Sequence, residues 1–217
     1  MIQGAIFDCD GTLFDSMYLY RDFVSQYLTR RGLVPKTGIE DTIRYMSMLE
    51  AAEYIRGLYG LPETAEEIIE DCNRVLEKAY FHEIQPRPGV RELLIQLHGR
   101  GVPMCIATAT DAYLVRGALQ RAELDKYFCE IITCRQAGAG KEQPDVFLRA
   151  LEILGTPLQT TWVFEDARHA VLTAKKCGFP VCAVFDEDER DHAGEIEAHS
   201  DIYLKSFAGF SVDRLYM

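Results

Sequence analysis

The sequence predicts an α/β fold, a doubly wound parallel sheet interrupted near its start by an inserted all-helical block. Two patterns carry this reading. From Pro88 onward, short and uniformly apolar runs alternate with amphipathic helical periods, as strands buried on both faces between covering helices do. Between about Asp15 and Arg87 the apolar runs vanish and only helical periodicity remains.

The elements follow in order. The first apolar run, around Gly4, leads straight into Asp8 and Asp10. In the helical block, Tyr20, Phe23, Val24, Tyr27 and Leu28 mark one helix that ends near Gly32. A capping-box spacing from Thr37 to Glu40 predicts the start of a second, carrying Ile43, Met46, Ile55 and Leu58, and the same spacing from Thr64 to Glu67 starts a third. Val90, Leu93, Leu94 and Leu97 then form one helical face behind Pro88, followed by the strand PMCIA. Further helices with Leu114 to Ala122, Phe147 to Leu154 and Ala167 to Cys177 alternate with the strands EIITC, TTWVFE and PVCAVF. The expected division is a core of residues 1–15 and 87–217 and a helical block of 16–86, with hinges near Asp15 to Met17 and Gln85 to Arg87.

Composition narrows the function classes. With 217 residues, 48% of them hydrophobic, the chain can bury a proper core. A formal charge of −11 argues against a broad surface for nucleic acid or for anionic membranes. No leader-like segment and no run of membrane-spanning length is present, so a soluble cytoplasmic protein is expected; a monomer is the working expectation, although the oligomeric state does not follow from the sequence. The seven cysteines are scattered without a CxxC pair and read as reduced core residues.

In an open parallel sheet, ligands bind outside the carboxyl ends of the strands. Those ends carry Asp8 and Asp10, then Thr108 and Thr110, then Lys141, then Glu165 and Asp166. Two carboxylates two residues apart, joined by a second acidic pair, repel unless a cation lies among them. An oxygen-only donor set suits a hard ion, and Mg²⁺ fits best if it also holds a substrate phosphate. The five histidines show no ligand spacing, the acidic run 186–191 reads as a solvated loop, and Asp15 reads as a helix cap.

With these residues in view, the chain resembles the haloacid dehalogenase superfamily of phosphohydrolases over nearly its whole length. The DxDGT signature appears as Asp8-Cys9-Asp10-Gly11-Thr12, the second motif as Ala107-Thr108-Ala109-Thr110, the third as Lys141 before Pro144-Asp145, and the fourth as Glu165-Asp166. The resemblance implies a Rossmann-like core with a helical cap and a small phosphorylated metabolite as substrate. It implies Asp8 as nucleophile and Asp10 as general acid and base. It further implies Mg²⁺ on Asp8, the Asp10 backbone carbonyl and Asp166, phosphate contacts from Thr108, Ala109 and Lys141, and an indirect role for Glu165. Tyr20, Arg44, Tyr45 and Glu50 are the cap residues expected near the leaving group. Two departures stand out: Glu142 replaces the usual Pro after Lys141, and the fourth motif continues Ala167-Arg168-His169, without a small hydroxyl.

A Mg²⁺-dependent phosphatase is therefore expected. A mutase resembling β-phosphoglucomutase is the alternative, weakened because Tyr20 stands where that enzyme carries a hinge His. Dehalogenase and phosphonate hydrolase are disfavoured by Asp10. A non-catalytic binding module would show loss of a motif residue, and none is lost.

Overall fold

The computed structural model describes residues 1–44 and 46–216. Six parallel strands form the main sheet: β1 (Gly4–Phe7), β4 (Met104–Thr108), β5 (Ile131–Thr133), β6 (Thr161–Glu165), β7 (Val181–Val184) and β8 (Ile202–Leu204). Their spatial order is β5-β4-β1-β6-β7-β8. The chain winds outward from β1 on one side and then on the other, so the crevice of the doubly wound sheet opens at the end of β1, between β4 and β6.

Alternate side chains along each strand enter two separate cores. Ala5 and Phe7 of β1, with Met104 and Ile106 of β4, pack toward α5 (Val90–Gly99), α6 (Ala112–Arg121) and the C-terminal segment. Ile6, Cys105 and Ala107 pack toward α8 (Asp145–Leu154), α9 (Arg168–Cys177) and α10 (Ala193–His199). Phe7 and Phe164 stack across β1 and β6 with ring centroids 4.2 Å apart, which rigidifies the two strands that carry the acidic ends. Both faces of the sheet are thus covered, as the apolar runs predict. The strand β8 and the short helix α7 (Cys134–Ala137) are additions to the expected elements; β8 is an edge strand of three residues, IYL, with Ile202 and Leu204 buried, too short to show a period.

The helical block comprises α1 (Phe23–Arg30), α2 (Ile39–Ile43), α3 (Met48–Tyr59) and α4 (Ala65–Lys78), the last running into a π-helical turn, Ala79–Glu83. These helices enclose their own apolar cluster, including Val24, Leu28, Ile55, Ile68 and Cys72. The block joins the sheet through a two-strand antiparallel ribbon, β2 (Phe14–Asp15) with β3 (Gln85–Pro86). Both expected hinge segments therefore lie side by side, and Asp15 is a ribbon residue instead of a helix cap.

Two helix starts differ from expectation. Thr37 does not cap α2; Gly38 does, in a left-handed conformation, and the Glu40 carboxylate accepts from the Ser25 N–H at 2.9 Å. The segment expected as one helix is broken before Ser47, which forms a reciprocal capping box with Glu50 at the start of α3. The Thr64–Glu67 box at α4 forms as read. Cys9, Cys72, Cys105, Cys134 and Cys182 are free and buried. No helix among the described residues is long and apolar enough to cross a membrane.

Candidate active site

The ends of β1 and β6 and the loop after α7 converge on one buried cluster. Asp8 follows β1 directly and is buried. The Lys141 ammonium donates to Asp8 Oδ1 and to Glu165 Oε1 at 2.5 Å. The second Asp8 oxygen, Oδ2, is buried with no hydrogen-bond partner. Side-chain oxygens of Asp8, Glu165 and Asp166 lie within 4.8 Å of one another.

Glu165 is fully engaged: its Oε2 accepts from the N–H groups of Asp166 and Ala167, at 2.9 and 3.0 Å. Asp166 accepts from the Thr12 hydroxyl at 2.7 Å, so a hydroxyl of the first motif faces the acid whose own motif lacks one. Gly11 makes this approach possible. It has φ of +85°, and a Cβ there would collide with the Asp166 carboxylate. Arg87, returning from the helical block, braces the same loop by donating to the carbonyl oxygens of Gly11 and Phe185 and to Asp186 Oδ2.

The electrostatics follow from burying three carboxylates around one ammonium. Burial pushes the Asp8 carboxyl up to about 8, against the pull of Lys141 and with the push of Glu165 and Asp10. Asp166 is raised well above the carboxylate range by burial and then by Glu165 and Asp8. Burial alone would lower Lys141, but Asp8 and Glu165 outweigh it and hold the ammonium above its ordinary value. An excess of negative charge, an orphaned carboxylate oxygen and an all-oxygen donor set together fit a hard divalent cation.

Asp10 points away from this cluster. Its Oδ1 accepts from Ser16 at 2.6 Å and from Tyr80 at 2.5 Å, and its Oδ2 accepts from Thr110 at 2.7 Å. Tyr20 completes the network, 2.5 Å from the Tyr80 hydroxyl and 3.2 Å from that of Thr110. Ser16 and Tyr20 lie on the segment entering the helical block and Tyr80 on the segment leaving it, so both crossings meet at one carboxylate. Sequence reading missed Ser16 and Tyr80 as site residues; a lone hydroxyl on a helical segment gives no signal until the fold returns it to the sheet.

Asp8, Asp10, Tyr20, Arg44, Ala109, Lys141, Glu165 and Asp166 all line one cavity between the sheet edge and the helical block. Thr108 is buried and does not line the cavity; its hydroxyl accepts from the Thr110 N–H at 3.0 Å, and Asp111 holds the N-cap position of α6. Glu50 is outside the cavity, held in its capping box. Tyr45 falls outside the described residues. Glu142 is exposed and also outside the cavity, so it does not intrude on the pairing of Lys141. The acidic run 186–191 is not wholly solvated: Asp186 and Glu189 are buried, and Asp188 receives Arg21 at 2.8 Å and, on its carbonyl, Arg44 at 3.0 Å, linking block and core.

A model of the haloacid dehalogenase-like hydrolase family matches residues 2–178. The chain is 30% identical over 180 residues to the "Phosphorylated carbohydrates phosphatase" of Thermotoga maritima, covering 82% of each chain. It is 27% identical over 214 residues to "Hexitol phosphatase A" of Escherichia coli, covering 98% of this chain and 94% of that one. The crystal structure of CbbY from Rhodobacter sphaeroides in complex with phosphate has the same fold, with a TM-score of 0.85 over 100% of both chains at 22% identity.

Proposed function

The chain belongs to the haloacid dehalogenase-like hydrolase family, and from that premise we propose that it is a Mg²⁺-dependent phosphatase of small phosphomonoesters working through an aspartyl-phosphate. The observation that carries the reading is the asymmetry of Asp8, with one oxygen on Lys141 and the other buried and unpartnered. That is the state of a carboxylate built to face a cation on one side and a phosphoryl group on the other.

An Asp8 oxygen forms a bond to phosphorus as the bond from phosphorus to the leaving oxygen breaks. Asp10 gives its proton to that oxygen, releasing an alcohol. Water then attacks phosphorus, Asp10 takes up its proton, and the bond to Asp8 breaks to free phosphate and the carboxylate. Dividing one difficult displacement into two is the benefit of the covalent route, and general acid-base help contributes roughly 10² to 10⁴-fold. Mg²⁺, held by Asp8, the Asp10 backbone carbonyl and Asp166, supplies charge neutralisation between the nucleophile and its anionic target when bound. Lys141 and the backbone around Ala109 hold the phosphoryl oxygens, while Glu165 fixes Lys141. The helical block acts as a cap that excludes water.

The test is phosphate release from a panel of phosphomonoesters with and without Mg²⁺, comparing the native chain with Asp8→Asn. Turnover is expected only with both the ion and Asp8. Turnover that survives Asp8→Asn would exclude the nucleophilic route.

A further inference from the structure

The cavity above Asp8 has two chemically distinct halves. Its floor is the ionic cluster already described. Its roof, from the helical block, is formed by Met17, Phe23, Ile43, Met46 and Met48, all half-buried, backed by the apolar cluster that contains Ile55. The polar groups of the roof already have partners, and on the core side of the cavity Glu189 Oε2 is buried without one. Arg21 and Arg44 face Asp188 and Glu189, Glu40 accepts from the Ser25 N–H, Ser47 caps α3, and the Tyr20 hydroxyl bonds Tyr80 and Thr110.

A polyol in this roof would exchange water hydrogen bonds for contacts with thioethers and a phenyl ring. Each unreplaced hydroxyl bond weakens binding strongly. An apolar group has the opposite balance, since it leaves water for a space already lined with carbon and sulfur. The cavity measures ≈ 250 Å³, and an apolar cavity of about 150 Å³ accommodates benzene. There is room for a ring or a chain of five or so carbons beside a phosphoryl group. Three methionines in the roof can reshape around different outlines, because the thioether side chain is flexible and polarizable.

We infer that the leaving group is apolar: the preferred substrates are alkyl or aryl phosphomonoesters, not phosphorylated polyols or sugars. The inference rests on the phosphatase reading above and specifies what its alcohol is.

The experiment compares n-pentyl phosphate with xylitol 5-phosphate, matched in chain length, and ethyl with n-pentyl phosphate, all with Mg²⁺. The polyol is the better leaving group, so any intrinsic bias runs against the inference. A kcat/KM for the pentyl ester at least about tenfold above the xylitol ester is expected, with a rise of up to about fourfold per added methylene. In Met46→Gln and Met48→Gln that ratio should shrink, while Met46→Leu keeps it, a pattern that a folding defect does not produce. Equal or better use of the xylitol ester overturns the inference. If no ester is hydrolysed, the phosphatase reading falls by itself, and binding of n-pentylphosphonate against methylphosphonate, measured by calorimetry on the Mg²⁺-loaded protein, decides the roof. At least about tenfold tighter binding of the longer compound supports an apolar site, and equal binding overturns it.

Discussion

At the scale of single residues, Asp10 is the group whose surroundings decide most. Four hydroxyls from three parts of the chain form its network, and Tyr80 is the one that arrives from the far crossing of the helical block. Removing the hydrogen bond to a charged acceptor weakens it by about 1.5–3 kcal/mol. On the proposed mechanism, with Asp10 as general acid and base, Tyr80→Phe is therefore expected to lower kcat by about tenfold to a hundredfold with little change in KM, because it would misdirect Asp10 and leave the proposed phosphate contacts in place. Steady-state kinetics check this, and a change confined to KM would remove Tyr80 from the positioning of Asp10. His169 supplies a pH dependence of stability. Burial lowers its imidazole from 6.5 to about 4, so the folded protein holds it neutral while the unfolded chain binds a proton. Its stabilisation is complete above about pH 6.5 and is lost as pH falls through about 4, on the order of 3 kcal/mol in all. His169→Gln should flatten that part of the acid limb in urea unfolding measured from pH 7 to pH 4; an unchanged slope would assign the limb to other groups.

At the scale of elements, the start of α3 deserves its own test because it aims Met48 and the adjoining Met46 into the cavity roof. Ser47 and Glu50 cap it reciprocally, and losing such a cap typically destabilises by about 1 kcal/mol. Ser47→Ala is expected to lower stability by that amount in urea unfolding and to raise KM, whereas an intact KM would show that the roof tolerates fraying. This element also shows where sequence patterns lose their grip. Thr37 and Glu40 have the same spacing as Ser47 and Glu50, yet only the second pair caps, because Gly38 turns left-handed and Glu40 is drawn to the Ser25 backbone. Spacing records what a box could do; tertiary partners decide which one forms. The sheet was legible for the opposite reason. Strands buried on both faces need several consecutive apolar residues, and five such runs leave little room for another arrangement, while the short edge strand β8 leaves no such trace. The acidic strand ends were readable because one topology brings them together, but Tyr80 and Ser16 depend on how two chain crossings stack, which local periodicity does not encode.

At the scale of the whole molecule, the fold accepts instability at its candidate active site. The sheet buries Asp8, Glu165 and Asp166 within reach of one another, with Lys141 as the cation on the cluster. Two of the three acids are pushed upward by burial and by their neighbours, which means that the ionised cluster opposes folding until a divalent ion offsets it. Mg²⁺ should therefore raise the unfolding temperature of the native chain by binding the folded state alone. Asp166→Asn removes one buried acid while keeping an oxygen to accept from Thr12. The variant in EDTA is expected to melt above the native chain in EDTA, by about 2–4 °C for each kcal/mol relieved in a chain of this size, and to gain little on adding Mg²⁺. Thermal unfolding of both proteins, with EDTA and with Mg²⁺, reads the four values directly. A variant that melts lower than the native chain without metal would mean that Thr12 and Lys141 already balance the cluster. An undiminished Mg²⁺ response would place the ion elsewhere. The expected crossing, in which the more stable metal-free protein is the one that ignores the metal, would identify the repulsion at the end of β1 as the feature that makes the site receptive to a cation.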